Sequence, residues 1–154
     1  MTTIDDILSP DHVALRLKAT TSAEAITEVA ALLKRDVRVL DWDELNACFL
    51  RAAPCPCEPE CGFSICIPHA RTESITGMVM AVGRAVEGIV FPQAKHPARY
   101  LFCIAVPTAL AADYLRIVGL IARVFKDPQI EEQLRRVQSP AEFIEILARA
   151  EAKL

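Results

Sequence analysis

The chain has 154 residues, 53% hydrophobic and 24% charged, which is enough apolar material for a buried core and excludes a disordered chain. Its net charge of −3 argues against nucleic acid or an anionic membrane surface as the main partner. No run of 18 apolar residues predicts a membrane span, and a start with Asp5 and Asp6 but no basic segment predicts no secretory signal. Six cysteines without such a signal are typical of a reducing compartment. We therefore expect a cytoplasmic protein in which residues 1–154 form a single domain.

The first predicted elements are a strand and a helix. Apolar residues alternate over residues 12–17, which predicts a half-buried strand. We expect a surface or packing role for His12, because it has no evident partner in the sequence. Thr21 and Glu24 form a capping box, which satisfies two N–H groups at the start of a helix.

A second helix is predicted to begin after Asp41, with Glu44 three residues later, and to end at Arg51. An arginine at a helix end usually remains solvated and interacts with the helix dipole. Because Arg51 lies just upstream of the next predicted strand, a second interpretation is that its side chain folds back toward an anion site there.

Residues 53–61 form a loop with three prolines and three cysteines: Cys55, Cys57 and Cys61. Three thiols at this spacing can ligate zinc or another soft metal. A structural zinc needs four ligands, however, and the usual pair of C-x2-C motifs is absent. A loop that is merely rich in cysteine is therefore the favoured interpretation, and a metal- or thiol-responsive role is the alternative.

Residues 62–72 are the stretch around which the rest of the chain is organised. Residues 64–67 are an apolar run that predicts a buried strand, and Pro68 has no N–H and is expected to end it. His69 would then lie at a strand end, where ligands bind in α/β folds, and a neutral imidazole can act as a nucleophile. Arg71 offers a fork of donors suited to a phosphate. A histidine after a strand is more often structural, and that alternative remains open.

The next segments predict further strands. Residues 78–82 and 89–91 predict two strands, with a turn bracketed by Gly83 and Gly88. Residues 100–106 are the most hydrophobic run and predict a central strand.

Three helices are predicted to follow this central strand. The first carries Tyr114 in its early turns, and the next two begin at Asp127-Pro128 and at the capping box that starts with Ser139. Four residues are expected on the inward face of the first helix: Leu115, Val118, Ala122 and Phe125. Strands and helices in this order predict an α/β fold, a mixed central sheet with helices on both faces.

The chain resembles a known family, the enzyme IIA domain of the bacterial phosphoenolpyruvate-dependent sugar phosphotransferase system. The closest type is the fructose/mannitol class, including its nitrogen-regulatory subgroup, and the resemblance covers nearly the whole chain. It is carried by the capped first helix and by these segments: Leu50-Arg51, Ile65-Cys66-Ile67-Pro68-His69, Ala81-Val82-Gly83-Arg84, Gly88-Ile89-Val90-Phe91, the apolar strand ending at Pro107, and Tyr114-Leu115.

The resemblance implies a single three-layer α/β/α domain and a defined site. His69 would take a phosphoryl group from the small phosphocarrier protein and pass it to a IIB domain or a regulatory target. The family's arginine before the active loop matches Arg51, with two extra residues in the intervening loop. The family's second histidine, in a His-Leu pair, matches Tyr114, so the chain departs from the pattern there.

The candidate phosphate-binding residues are therefore Arg51, Arg71 and Tyr114. Tyr114 can donate a hydrogen bond but brings no positive charge, and a charged donor is worth more by roughly 1 kcal/mol. Two alternatives to a working phosphocarrier remain: a binding module that transfers little phosphate, and a metal- or redox-responsive variant of the cysteine loop. For a working phosphocarrier, sugar transport and nitrogen- or potassium-linked regulation are both open, and the lack of a fused IIB-like or membrane segment favours regulation. We expect no cofactor.

Overall fold

The protein is described by a computed structural model that covers residues 2–52, 55–58 and 62–154. Within these ranges, six strands form one mixed sheet in the order β1-β5-β6-β3-β2, and β4 pairs with β6 beyond the end of β3. The central strand β6 is antiparallel to β5 and parallel to both β3 and β4. The strands are β1 (Val13–Ala14), β2 (Cys55–Cys57), β3 (Ser64–Ile67), β4 (His69–Arg71), β5 (Val79–Ile89) and β6 (Ala98–Val106).

Helices cover both faces of this sheet, so the predicted three-layer α/β/α architecture is confirmed. They are α1 (Ile4–Ile7), α2 (Ser22–Ala30), α3 (Trp42–Arg51), α4 (Ala111–Val124), α5 (Pro128–Arg136) and α6 (Pro140–Ala152). Short 3₁₀ turns lie at Pro10–His12, Ala31–Leu33 and Thr108–Leu110. No helix of the described ranges is both long and apolar enough to cross a membrane.

The predicted helix starts are confirmed by their capping bonds. The side chains of Thr21, Asp41 and Ser139 each accept a hydrogen bond from a backbone N–H three residues later, at 3.1–3.3 Å. The Asp127 carboxylate accepts one from the N–H of Gln129 at 2.9 Å. These bonds depend only on neighbouring residues, which is why the sequence pattern alone located the helix starts.

The sheet buries apolar side chains on both faces. On one face, Phe102 and Ile104 of β6 pack with α1, α4, α5 and α6, and we call this cluster the front core. On the other face, Leu101 and Cys103 pack with α2 and α3, and we call this cluster the back core. Successive residues of β6 therefore serve different cores, as expected of a central strand.

The prediction of a strand over residues 12–17 is wrong for most of its length. Val13 and Ala14 pair with β5 as a strand, the N–H of Leu17 adds one bond to the carbonyl of Arg84 at 3.1 Å, and His12 ends a 3₁₀ turn instead. The carbonyl of Leu15 is used by a side chain, since the Nε of Arg84 donates to it at 2.9 Å. His12 also has a partner that the sequence did not reveal: its buried Nε2 lies 3.2 Å from Oδ2 of Asp36.

The turn predicted between Gly83 and Gly88 is also wrong, because β5 runs without interruption from Val79 to Ile89. Gly83 is needed for close packing rather than for a turn. A Cβ there would lie 2.6–2.8 Å from side-chain atoms of Val29 and Leu17. Gly88 has φ +79°, in the left-handed region that favours glycine, and lies where the β5–β6 register shifts.

The inward face of α4 differs from the predicted one. Leu115 is 67% exposed, and the fully buried residues of the helix are Ile117, Leu120, Ile121 and Val124. Of the predicted set, Phe125 is buried and Val118 is half-buried against the front core. The apolar residues of α4 cover more than one stripe, and only docking on the sheet selects the buried one.

Candidate functional site

His69 lies inside the sheet and not beyond its edge. Pro68 interrupts the strand for one residue only, because its carbonyl still accepts a hydrogen bond from the N–H of Ile104 at 3.0 Å. Pairing with β6 then resumes, with His69 opposite Ile104 and Arg71 opposite Val106. The expectation that Pro68 ends the pairing is therefore wrong, since proline lacks a donor but keeps its acceptor.

The side-chain alternation places His69 and Arg71 on the same face of the sheet. Ile67 belongs to the front core and Ala70 to the back core, so His69 and Arg71 point to the α4 side. There the His69 imidazole meets the ring of Tyr114, with centroids 5.0 Å apart and planes inclined at 34°. The structure thus brings together two residues that are 45 positions apart in the sequence.

The environment of His69 favours the neutral imidazole. Its ring is half-buried, and burial lowers the pKa of His69 below its ordinary value. Its Nδ1 is buried and has no hydrogen-bond partner in the described part of the chain. Because Nδ1 is buried, it is shielded from an incoming partner.

Arg71 lies on the solvent side of this site. Its side chain is exposed, and its Nη2 is 3.5 Å from the carbonyl oxygen of Thr108, just before α4. The N-cap residue of α4, Leu110, makes no side-chain hydrogen bond to the helix, so the first N–H groups of α4 are not satisfied by a side-chain cap. Glu73 is close to the same segment, since its Oε1 accepts from the N–H of Thr108 at 3.4 Å.

Arg51 is paired with residues of its own helix. Its Nη2 lies 3.2 Å from Oε1 of Glu44 and 3.2 Å from Sγ of Cys48. The helix that carries Arg51 packs on the back core, and His69 faces the front core. Among the described residues, no hydrogen bond or ion pair joins Arg51 to His69, so its phosphate-binding role stays a prediction.

The cysteine loop lies only partly within the described residues. Cys61 lies outside them, as does the side chain of Cys55, so the predicted ligand set is not tested. Cys57 lies on β2 and packs against the front core. In residues 2–52, 55–58 and 62–154, no group of three or more His, Cys, Asp or Glu side chains is placed to hold a metal ion.

Arg84 is central to the structure, although its place in the sequence predicts no role for it. Its guanidinium is buried in the sheet and donates to the carbonyls of Leu15, Leu134, Arg135 and Val137 at 2.8–3.1 Å. Burial lowers its pKa. The signal in the sequence is an arginine directly after the apolar run of residues 78–83, because a buried guanidinium requires a set of acceptors.

The fold and site together define a class: an α/β/α domain with a half-buried, neutral imidazole beside an exposed guanidinium and an uncapped helix start. This arrangement suits the reception of an anionic group. The family model described as phosphoenolpyruvate-dependent sugar phosphotransferase system, EIIA 2, matches residues 6–150. The chain therefore belongs to this family, as the resemblance had indicated.

The curated relatives come from both branches of the resemblance. The fructose-specific EIIA component of Haloferax volcanii is 35% identical over 88 residues, which are 56% of this chain and 57% of that protein. The fructose-specific EIIABC component of Bacillus subtilis is 22% identical over 145 residues, only 23% of its length. A nitrogen regulatory protein of Bradyrhizobium diazoefficiens is 24% identical over 94% of both chains. The chain thus spans just over half of the first relative and under a quarter of the second.

Solved structures confirm the fold. The nitrogen regulatory protein IIA-Ntr from Neisseria meningitidis superposes with a TM-score of 0.78, at 24% identity, over 94% of this chain and 98% of that one. The mannitol IIA protein from Escherichia coli gives 0.72, at 23% identity, over 92% and 99%. A complex of the same mannitol protein with phosphorylated enzyme IIB gives 0.69, at 20% identity, over 92% and 97%.

Proposed function

We propose that this chain is a phosphoryl carrier: His69 accepts a phosphoryl group from the small phosphocarrier protein and delivers it to a IIB domain or a regulatory target. The observation that carries the proposal is the half-buried imidazole of His69 on β4, at a lowered pKa and beside the start of α4. A neutral ring is the nucleophilic form, so burial prepares it for attack at neutral pH. We further propose that residues 1–154 act as one domain and work in the cytoplasm.

The shielding of Nδ1 supports the opposite nitrogen, Nε2, as the reacting atom. In the accepting step, the Nε2 lone pair of His69 forms a bond to phosphorus while the bond from phosphorus to the donor atom breaks. The donor atom keeps that electron pair, and the ring proton of His69 stays on Nδ1. Delivery is the same step with the roles exchanged, as the next acceptor displaces Nε2. The protein's contribution is to position the ring and to stabilise the charge on the transferred oxygens.

Three groups near His69 can stabilise that charge. The Arg71 guanidinium is exposed and weakly held, so it is free to turn toward a phosphoryl group. The uncapped start of α4 offers backbone N–H groups and the positive end of a helix dipole. Tyr114, in ring contact with His69, offers a neutral O–H. Arg51 could join them only by giving up its exposed ion pair with Glu44, which is worth less than about 1 kcal/mol.

The surroundings of His69 also suit a protein partner. Leu110 and Leu115, at the start of α4, are 37% and 67% exposed and lie close to Tyr114 in the sequence. Exposed apolar residues beside a reactive group are typical of a docking surface. In the solved complex of the mannitol IIA protein with phosphorylated IIB, the IIA protein has the same fold as this chain. This likeness supports a IIB-type partner for this chain.

A second candidate function is a binding module on the same fold that transfers little phosphate. It is favoured by one observation, that Tyr114 occupies the place of the family histidine and supplies no charge. Both candidates are compatible with sugar uptake and with nitrogen-linked regulation, since the relatives include fructose-specific and nitrogen regulatory proteins.

One labelling experiment tests the proposal and separates the two candidates. The chain is incubated with labelled phosphoenolpyruvate, enzyme I and the phosphocarrier protein, and acid-labile phosphate is measured on it. We expect label on the wild type and on His96→Ala, a change at an exposed histidine, and none on His69→Ala. Label that persists in His69→Ala would place the acceptor elsewhere, and an unlabelled wild type would favour the binding module.

A further inference from the structure

A second charged cleft lies away from His69. It has a volume of about 700 Å³ and opens where the chain leaves β1, beside β5 and the end of α5. We call it the arginine cleft. Its lining residues are Leu15, Arg16, Arg84, Val86, Arg135, Arg136, Val137 and Gln138.

The arginine cleft is strongly basic although the chain as a whole is acidic. Four of its eight lining residues are arginines, and no carboxylate stands among the described residues that line it. The net charge of the chain is −3, so this local excess of positive charge is not an average property of the surface. Like charges brought together repel one another, and a bound anion relieves that repulsion.

The arginines of the cleft differ in how their guanidinium groups are bound. Arg84 is held at the base by four carbonyl oxygens and cannot turn away. Within the described chain, the guanidinium groups of Arg16 and Arg135 make no hydrogen bond or ion pair. Arg136 is paired with Glu132 at 2.8 Å, on its own helix, and its side chain is 75% exposed. Arg16 and Arg135 therefore keep all their donors for a ligand.

We propose that the arginine cleft binds a small phosphorylated molecule. The guanidinium fork matches two oxygens of a phosphate, and a rigid arginine beside two free ones can hold a multiply charged group from several sides. The volume lies within the range of small-molecule sites, so the shape favours a metabolite over a long polyanion. Gln138 adds an amide, and the exposed Val86 adds an apolar wall for the rest of the ligand.

The arginine cleft is separate from the proposed phosphoryl site. Arg84 pairs with Tyr100 near the start of β6, whereas His69 pairs with Ile104 near its end. Arg84 and His69 are therefore separated by two strand spacings across the sheet and by four residues along β6. At ordinary sheet spacings this separates their backbones by roughly 16 Å. A ligand in the cleft would therefore not block His69. The cleft thus suits a regulatory site, at which the concentration of a metabolite sets the occupancy.

The test measures binding of pyrophosphate to the whole chain by calorimetry, at constant ionic strength maintained with sodium chloride. We compare wild type with the double variant Arg16→Gln, Arg135→Gln. The matched control is Arg123→Gln, Arg149→Gln, which removes the same charge from exposed helix positions outside the cleft. We expect the affinity to fall at least about tenfold in the cleft variant, since two charge-assisted contacts are lost, and to be unchanged in the control.

A third variant, His69→Ala, separates this inference from the proposed function. Unchanged binding in His69→Ala, together with the loss in the cleft variant, places the anion in the cleft; loss of binding in His69→Ala would place it at the histidine and overturn the inference. Equal binding by the cleft variant and the control would also overturn it, as would no binding by the wild type. The labelling experiment at His69 does not depend on any of these results.

Discussion

The imidazole of His69 and the phenol ring of Tyr114 lie 5.0 Å apart, at 34° to each other. This contact joins β4 to the first turns of α4 across the front face of the sheet. It places, beside the proposed phosphoryl acceptor, the residue that the family resemblance matches to a second histidine. The consequences of that departure can be measured directly.

Tyr114→His should restore a second ring that can carry a positive charge. We expect the phosphorylated form of His69 to gain roughly 1 kcal/mol, or about fivefold in lifetime, because a charged donor stabilises a phosphoryl dianion more than a phenol does. The measurement is the rate at which labelled protein loses phosphate at neutral pH. Tyr114→Phe, which keeps the ring and removes only the O–H, is the control and should shorten the lifetime. An unchanged lifetime in both variants would show that residue 114 does not contact the phosphoryl group.

The two candidate arginines can be distinguished by parallel substitution. Arg71→Gln removes an exposed guanidinium with one long contact, so stability should change by no more than about 0.5 kcal/mol while phosphoryl transfer falls by about ten- to a hundredfold. Arg51→Gln breaks the exposed pair with Glu44 and should cost less than about 1 kcal/mol. Labelling rates and urea unfolding are measured on both. A normal rate in Arg71→Gln would remove Arg71 from the site, and a normal rate in Arg51→Gln would remove Arg51 from it.

The pKa of His69 should be visible in a titration. Because burial lowers it, the ring signals of His69 should titrate with a midpoint below 6.5 in the folded chain and near 6.5 in urea. The pKa of His12 is also lowered, chiefly by burial. The unfolded state therefore binds more protons just below pH 6.5, and stability should fall as the pH decreases through this value. His69→Ala should flatten part of that slope. A His69 midpoint above 6.5 would contradict the proposed environment.

Gly83 tests the packing of α2 on the sheet. Gly83→Ala adds a methyl group that would lie 2.6–2.8 Å from side-chain atoms of Val29 and Leu17, so we expect a loss of about 1–3 kcal/mol in the free energy of unfolding. Gly119→Ala is the matched control, since no heavy atom of the described chain lies within the 4 Å contact range of a Cβ there. In a helix that change should stabilise by about 0.5–1 kcal/mol. Equal effects in the two variants would argue against close packing at Gly83.

Arg84 tests whether a buried cation organises the end of α5. Arg84→Met keeps much of the length of the side chain but leaves four carbonyls without their donor, and we expect a loss of about 2–4 kcal/mol in urea unfolding. Arg84→Lys, which keeps the charge but not the fork, should lie between that variant and wild type. A loss below about 0.5 kcal/mol in Arg84→Met would show that water replaces the guanidinium at no cost.

Local features of the chain could be predicted because they depend on near neighbours. The capping residues Thr21, Asp41 and Ser139 bond to N–H groups three positions away, and the helices begin where the pattern predicted. The buried strand before Pro68 and the central strand predicted over residues 100–106 follow in the same way from apolar runs, and the observed central strand begins two residues earlier, at Ala98. The role of His69 rests on the family pattern and stays a prediction.

The failures all involve contacts between distant parts of the chain. The sequence predicts a turn at Gly83 because it does not show that α2 approaches this residue. It predicts a strand end at Pro68 because it does not show that the Pro68 carbonyl accepts a hydrogen bond from β6. The partner of His12 lies 24 residues away.

Periodicity and motifs in the chain were enough to locate the capped helix starts, the apolar runs over residues 64–67 and 100–106, and His69 as the candidate acceptor, because each depends on near neighbours. The face of β4 that carries His69, its contact with Tyr114, and the cleft lined by four arginines from three segments follow from the packing of the sheet against its helices. That packing joins residues that the chain order keeps apart, so burial and charge proximity do not follow from periodicity alone.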